Sequence, residues 1–340
     1  MIQHMLSRRT ILICLASGLI ASFKSHPKDY LQTFLNVVPK YDTCAPPNGP
    51  IPSSKPGDAP FSQGQKSYES AIHCPRGIRD MPRGIVLMVP CTSANGAEVF
   101  SKLTLSLHIS AYGLGDMQIA GEFVAYAVSN LASSSPSGKI NVVTHSQGGV
   151  NAQWAITFWP SIRNQITNLV TIGAPHRGAI MIDYIGNLMD VIGGSLTYIL
   201  QMRQNSRYMS AVFNRTAENG GLEALVPTTS LFTFFDQFVL PQASNSNGSS
   251  YLSGASNIAI QEACGRNRII EHFGIILDMA TYGLVYDALS HGRPASLETF
   301  DRTYCEGHFS NHFLHVQPYV CLTGYGKRQG QDKQHPWGRK

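Results

Sequence analysis

The fold is decided by one stretch of the chain, KINVVTHSQGGVNAQW, which spans residues 139–154. It predicts a short β-branched strand over residues 140–143, a turn that carries Ser146, and then a helix over residues 150–158. A serine on a sharp turn between a buried strand and a helix is the arrangement called a nucleophile elbow. Such a turn pushes the serine hydroxyl out of the sheet and makes it available for chemistry.

The neighbours of Ser146 support this interpretation and leave one alternative open. The backbone N–H of Gln147 would lie near the helix N-terminus, where it can stabilise an oxyanion. The usual motif is G-x-S-x-G, and Thr144 stands here in place of the first glycine. The alternative is that Ser146 only caps the helix, which is the commonest role of a serine in that position.

The length and composition indicate one large domain. The chain has 340 residues, 14% of them charged, and its apolar runs are spread evenly after about residue 80. The excess of Lys and Arg over Asp and Glu lies mainly at the two ends, and no basic stripe with interleaved aromatic residues crosses the middle. We therefore expect no nucleic acid among the partners.

The N-terminus predicts a secreted protein. Residues 1–25 contain a pair of arginines, a short apolar run and then small residues, which is the pattern of a signal peptide. The run is short for a membrane span, and an uncleaved anchor is the alternative. Residues 26–80 are a Pro- and Gly-rich leader and N-terminal segment, residues 81–325 the main domain, and residues 326–340 a basic tail.

The order of elements before and after the elbow is that of a doubly wound α/β sheet. The apolar run over residues 83–89 predicts a strand buried on both faces, and helical spacing predicts a helix over residues 115–132. Strand, helix, strand, serine and helix then follow one another, as in the α/β-hydrolase fold with its mostly parallel sheet and helices on both faces. In that fold the loop after an early strand supplies the second oxyanion donor. The candidate is Thr92, and an ordinary Ser/Thr turn is the alternative.

A weakly charged apolar region over residues 181–200 follows the next predicted strand. Its composition favours a helix, while Gly193-Gly194 lowers the helix propensity and provides a hinge. In a serine hydrolase such an insertion commonly covers the site, and an apolar cover suits an acyl chain. We expect a helical lid-like insertion here, and a plain core helix is the alternative.

The acid and the base of a catalytic triad are expected after the serine, in loops that follow later strands. Asp236 follows a predicted strand over residues 229–235, and His272 follows another over residues 257–260. The competing acids lie in predicted helices, where we expect them to face solvent or to cap: Asp183, Asp190, Asp278 and Asp287. The competing histidines are His176, His291, His308, His312 and His315.

Longer strings add a family resemblance. VTHSQGGVNAQWAITFWPSIR, at residues 143–163, closely resembles the elbow and following helix of the Candida antarctica lipase B-like family of fungal secreted lipases, which have an α/β-hydrolase fold. LVPTTSL at residues 225–231 and PQASNS at residues 241–246 resemble the acid segment of that family, and IEHFG at residues 270–274 resembles its histidine segment. The resemblance runs from about Pro82 to Cys305.

The resemblance implies a role for each matching residue. It implies that Ser146 is the nucleophile, Asp236 the acid and His272 the base, and that Thr92 and Gln147 are the oxyanion donors. It also implies a disulfide between Cys264 and Cys305.

The chain departs from the family at several positions near the site. His145 stands where the family has a tryptophan just before the nucleophile, and His176 stands where it has an aspartate. Both changes bear on chain-length and enantiomer preference. Cys91 replaces a small glycine in the oxyanion loop, where it would crowd Thr92 or provide a reactive thiol.

The remaining cysteines follow the family less closely. The family partner of Cys74 lies in a segment that is shortened here, so Cys74 either pairs with Cys44 or stays free. Cys321 occupies a place that the family does not use for a bridge. Without Cys14, six cysteines remain, an even number that suits bridges in a secreted protein. Asn214 and Asn247 lie in glycosylation sequons.

The sequence thus predicts a secreted serine lipase that hydrolyses carboxylic esters, with a lipid or ester as its substrate and a lipid–water interface as its site of action. A metal or organic cofactor is not expected, because the chain has no HExxH, Cys-x-x-Cys or Gly-rich phosphate motif. We expect a monomer. The alternatives are a short-chain or aromatic esterase, an acyltransferase, and a binding protein that keeps the fold but has lost catalysis.

Overall fold

A mostly parallel sheet forms the centre of the molecule. The computed structural model describes residues 49–74, 84–92, 115–192, 196–216, 222–307 and 319–323. Within them the sheet has seven strands in the order β1-β7-β2-β3-β4-β5-β6. The strands are β1 (Ile72–His73), β2 (Ile85–Val89), β3 (Ile140–His145), β4 (Ile166–Ile172), β5 (Thr228–Phe232), β6 (Ser256–Ala259) and β7 (Tyr319–Thr323).

Every neighbouring pair from β7 to β6 is parallel, and β1 pairs antiparallel with β7. The helices of the described residues are α1 (Gln65–Ala71), α2 (Met117–Ser134), α3 (Gln147–Phe158), α4 (Ile180–Ile192), α5 (Thr197–Met202), α6 (Arg207–Thr216), α7 (Ile260–Cys264) and α8 (Met279–His291). The predicted α/β class and mostly parallel sheet are confirmed.

Strand β2 shows how the sheet separates two cores. All five of its residues are apolar and buried. Because successive side chains of a strand point to opposite faces, Ile85, Leu87 and Val89 enter one cluster with α2, α3, α5 and α6. Val86 and Met88 enter a second cluster with α7 and α8. Helices therefore cover both faces, as the continuous apolar run predicts.

Besides β1, sequence analysis missed strand β7. It lies between β1 and β2, with His73 opposite Leu322 and Ile85 beside Tyr319. A strand near the C-terminus thus pairs with two strands from the first third of the chain. The predicted signal peptide, the first part of the leader and the basic tail over 326–340 lie outside the described residues.

Residues 49–74, predicted as part of the leader and N-terminal segment, pack on the domain and contribute α1 and β1 to it. Glu122 on α2 accepts hydrogen bonds from the backbone N–H and the hydroxyl of Ser62, and a third from the Tyr68 hydroxyl. Burial raises the pKa of the Glu122 carboxyl, and these three donors oppose that effect. The sheet therefore begins before the predicted domain boundary at residue 81.

The insertion between β4 and β5 is helical, as predicted, and consists of α4, α5 and α6. The first two turns of α4 have two different faces: Ile182 and Ile185 pack against the first core cluster, whereas Ile180 is 38% exposed and Tyr184 is 67% exposed. None of the helices in the described ranges combines the length and the apolar character that a membrane crossing requires.

Two disulfides involve described cysteines. Cys264 at the end of α7 is bonded to Cys305, with the two Cα atoms 5.3 Å apart. Cys74 is also disulfide-bonded, so the alternative that it stays free is wrong. Cys44 lies outside the described residues. Cys91 is buried in the second core cluster.

Candidate active site

Ser146 occupies a strained turn between β3 and α3. Its φ is +52° and its ψ is −125°, a conformation that costs a non-glycine residue about 1–3 kcal/mol. Its backbone N–H donates to the carbonyl of Ile172 at 2.8 Å, which ties the turn to the end of β4. The side chain makes no helix-capping bond. The capping alternative is therefore wrong, and the turn has the geometry of a nucleophile elbow.

The two glycines after the serine let the turn approach its neighbours. A Cβ on Gly148 would lie 2.5 Å from the carbonyl oxygen of Val89 and 2.6 Å from that of Pro90. A Cβ on Gly149 would lie 2.5 Å from the Cβ of Ala174. Only glycine fits at these positions, because a Cβ does not tolerate contacts below 3 Å with atoms that cannot move away.

The structure brings the predicted acid and base to the serine. The distance from Ser146 Oγ to His272 Nε2 is 3.0 Å, and that from His272 Nδ1 to Asp236 Oδ2 is 2.7 Å. Asp236 and His272 are 2% and 3% exposed. A carboxylate only accepts, so Nδ1 carries the proton and Nε2 is available to accept the serine hydroxyl proton.

Asp236 is fixed by its own loop. Its Oδ1 accepts from the backbone N–H groups of Phe238 at 2.9 Å and Val239 at 2.7 Å. Oδ2 is thereby directed at His272. Two backbone donors on one oxygen and an imidazole on the other satisfy a buried carboxylate, which is otherwise costly to bury.

Aromatic rings and one glycine enclose the His272 imidazole. The ring centroids of Phe238, Phe273 and His145 lie 5.6, 5.1 and 4.9 Å from its own. Gly173, with a φ of +56°, closes the fourth side, since a Cβ there would lie 3.4 Å from two ring atoms. The ring is thus confined on several sides in the orientation that reaches Ser146.

The two predicted oxyanion donors lie next to each other. Gln147 is the first residue of α3, so its N–H has no partner within the helix. Thr92 follows β2, and its hydroxyl donates to Oε1 of the Gln147 side chain. Its neighbour Cys91 is 6% exposed. The ends of β2 and β3 therefore bring both donors beside Ser146.

The two histidines that depart from the family are buried and neutral. Burial, followed by the charge of His272, holds the pKa of His145 well below its usual range. Burial, with a smaller contribution from Arg177, lowers the pKa of His176 to about 4. His176 Nε2 lies 3.0 Å from Thr171 Oγ1, on the side of β4 that contacts the elbow. Of these three histidines, His272 is the one whose ring nitrogen lies within hydrogen-bond distance of Ser146 Oγ in the described residues.

The competing acids lie elsewhere. Asp278 caps α8 and forms an ion pair with Arg268 at 2.5 Å, as expected of a capping residue. Asp287 is 4% exposed and forms an ion pair with Arg293, so the expectation that it faces solvent or caps is wrong.

Among the competing histidines, the His291 ring bonds to the carbonyl of Asp287. Three further histidines that competed for the role of base lie outside the described residues: His308, His312 and His315.

Sequence analysis missed the polar residues that join the acid loop to the histidine loop. Gln237 Oε1 accepts from the His272 N–H at 3.0 Å. Gln261 Nε2 donates to Thr233 Oγ1 and to the carbonyl of Arg268, and its Oε1 accepts from Phe234 N–H. A glutamine gives no sequence signal for such bonds, although the position of Gln237 directly after the acid could have drawn attention to it.

The described residues hold no group of three or more His, Cys, Asp or Glu side chains arranged to bind a metal ion. The chemistry that the site displays lies in its serine, histidine and carboxylate. A strained serine between a parallel strand and a helix, with an acid and a histidine on later loops, defines an α/β-hydrolase.

The comparisons with known proteins agree and narrow this class. A family model described as "PGAP1-like alpha/beta domain" matches residues 106–254. Lipase B of Pseudozyma antarctica is 30% identical over 244 residues, which cover 68% of this chain and 69% of that protein. Lipase B of Aspergillus fumigatus has a solved structure that matches with a TM-score of 0.62 and 27% identity, over 76% of this chain and 67% of that one. The chain belongs to the lipase B family of α/β-hydrolases.

Proposed function

We propose that this protein is a secreted serine lipase that hydrolyses carboxylic esters of the triacylglycerol type through an acyl-enzyme on Ser146. One observation carries the proposal: Ser146, His272 and Asp236 form a continuous hydrogen-bonded chain with distances of 3.0 and 2.7 Å. That chain suits transfer of the serine proton to the histidine while the carboxylate stabilises the resulting imidazolium. Membership of the lipase B family supports an ester as the substrate.

In the first half of the reaction, Ser146 Oγ attacks the ester carbonyl carbon as His272 Nε2 takes its proton. The negative oxygen of the tetrahedral intermediate is held by the Gln147 N–H and by Thr92. His272 then returns the proton to the leaving alcohol, and the acyl group stays on Ser146. In the second half, His272 takes a proton from a water molecule as that water attacks the acyl carbonyl carbon. The proton then returns to Ser146 Oγ as the carboxylic acid is released.

The half-exposed apolar face of α4 supports an acyl chain as part of the substrate, because Ile180 and Tyr184 offer an apolar surface next to the loop that follows β4. Secretion is supported by the disulfide between Cys264 and Cys305 and by the sequence of residues 1–25. Asn214 and Asn247 are both exposed, as glycosylation of their sequons would require.

The proposal is tested by hydrolysis of p-nitrophenyl esters from acetyl to palmitoyl. We expect activity that rises with chain length, and a loss of about 10⁴-fold or more in kcat for Ser146→Ala. The matched control is Ser133→Ala, at an exposed serine near the end of α2, which should retain wild-type activity.

The outcomes separate the alternatives. A maximum at acetyl or butyryl esters would make the protein a short-chain esterase, and faster transfer to an added alcohol than to water would make it an acyltransferase. A folded wild type without activity would favour the binding-protein alternative. Equal activity of wild type and Ser146→Ala would exclude Ser146 as the nucleophile.

A further inference from the structure

The backbone of His272 is held on both sides by the sequence neighbours of the other two triad residues. Its N–H donates to Oε1 of Gln237, which directly follows Asp236. Its carbonyl oxygen lies 3.0 Å from Nε2 of His145, which directly precedes Ser146. The loop that carries the base is thus bonded to both of the segments with which the base must align.

His145 is suited to donate this bond. It is the last residue of β3 and is fully buried, with a relative exposure of 0%. A carbonyl oxygen only accepts, so the proton of the His145 ring lies on Nε2. Burial lowers its pKa, which keeps the second ring nitrogen unprotonated. Within the described part of the chain that nitrogen, Nδ1, has no hydrogen-bond partner.

The two bonds act on different degrees of freedom of the loop. Fixing both the N–H and the C=O of one residue restrains its φ and ψ, and these angles determine where the side chain emerges. The ring of His145 also stands 4.9 Å from the ring of His272, tilted by 36°, and limits the movement of that ring toward His145. A neutral ring at that distance adds no charge that would oppose the imidazolium formed during catalysis.

We propose that His145 is a positioning residue, which sets the alignment of His272 with Ser146 by donating from Nε2 to the His272 carbonyl, with Gln237 as its counterpart on the N–H side. This inference rests on the proposed function of the same triad. It assigns a role to the residue that replaces the family's tryptophan, a change that sequence analysis could connect only with substrate preference.

The test compares two substitutions at His145. His145→Leu removes the donor, whereas His145→Gln keeps an N–H group at about the same reach. For a soluble p-nitrophenyl ester we expect His145→Leu to lower kcat by about 10²-fold with KM changed less than about twofold, since small misplacements of a catalytic group cost that much. The kcat of His145→Gln should be at least about tenfold higher than that of His145→Leu. Wild-type kcat in His145→Leu, or equal losses in both variants, would overturn the proposal.

A spectroscopic readout separates this proposal from the proposed function. The proton between His272 Nδ1 and Asp236 gives a strongly deshielded ¹H resonance when the pair is aligned. We expect that resonance in the wild type and in His145→Gln, and its loss in His145→Leu. If the wild type shows the resonance but hydrolyses no ester, the proposed function fails. The positioning role is then tested by the resonance alone, which should persist in His145→Gln and be lost in His145→Leu.

Unfolding in urea shows whether His145→Leu is folded under the assay conditions. If that variant does not fold, the proposal is tested with Gln237→Leu, which removes the hydrogen bond to the His272 N–H. Gln237 is half-buried, so its replacement is less of a risk to folding. The same drop in kcat at unchanged KM is expected for it, and wild-type kcat in Gln237→Leu would overturn the two-sided restraint.

Discussion

Ser146, the proposed nucleophile, and its proposed partners Asp236 and His272 are positioned by two different kinds of structure. Around the elbow, formed by β3, α3 and the loop 173–178 that contacts them, the determinants are close backbone packing and a strained turn. Gly148 lies against the carbonyls that end β2, and Gly149 lies against Ala174. The backbone of Ser146 is tied by a main-chain bond, from its N–H to the carbonyl of Ile172 at 2.8 Å. The nucleophile is placed mainly by steric fit.

The acid and histidine loops, residues 233–239 and 268–274, are instead joined by polar side chains. Thr233 donates to the carbonyl of Ile270 at 2.8 Å, and Gln261 and Gln237 bridge the same two loops. These two loops are separated by about 30 residues in the chain. Steric fit therefore fixes Ser146, whereas a buried polar network fixes His272 relative to it.

The largest effect is expected from a methyl group at the elbow. Gly148→Ala would drive a Cβ into the carbonyl oxygens of Val89 and Pro90, which are main-chain atoms and cannot move away cheaply. We expect a loss of about 3 kcal/mol in the free energy of unfolding, measured in urea, and a kcat reduced with it because Thr92 follows those carbonyls.

The control for that substitution is Gly292→Ala at the end of α8. Gly292 has a φ of +62°, and a Cβ added there would meet no atom within 4 Å, so only the backbone cost of about 1 kcal/mol is expected. Equal losses in the two variants would show that steric fit does not distinguish the elbow.

The next effect is expected in the polar network. Gln261→Leu removes the amide that bonds Thr233, Phe234 N–H and the Arg268 carbonyl, and leaves buried groups unsatisfied. We expect a loss of about 2 kcal/mol in the free energy of unfolding and roughly tenfold in kcat. Gln118→Leu, on the exposed surface of α2, should change neither quantity. Unchanged kcat in Gln261→Leu would contradict the role of the network in placing the base.

The smallest effect is a pH dependence on the elbow side. His176 has a pKa of about 4 in the folded protein against an ordinary 6.5, because burial disfavours its charged form. Its unfolded form therefore binds a proton first as the pH falls, so stability that is fully present above the unfolded pKa is lost as the pH falls toward 4. From about pH 7 to about pH 5.5 the wild type should lose about 1 kcal/mol through this residue.

The matching variant is His176→Gln, whose amide can donate to or accept from the Thr171 hydroxyl but does not titrate. Urea unfolding of both proteins at the two pH values isolates the contribution of His176. The same pH dependence in both would show that His176 is not the titrating group.

Much of the fold could be predicted because its signals are local. The apolar runs of β2 and β4 and the helical spacing of α2 predict buried strands and a packed helix without knowledge of the rest. β7 could not be predicted, because the strands it joins, β1 and β2, lie more than 200 residues earlier in the chain. Pairing between such distant segments depends on tertiary packing, and it produces no local hydrophobic pattern from which it could be predicted.

The elbow could be predicted from the sequence, because a β-branched strand, Ser146 and the Gly148-Gly149 pair follow one another directly in the chain. The sequence also pointed to Asp236 and His272 through the order of triad residues and through family resemblance. How these residues meet, and which groups hold them there, became visible in the three-dimensional structure. Hydrogen bonds such as those of His145, Gln237 and Gln261 join loops that are distant in sequence, and a bond between distant residues exists only once packing has brought them together.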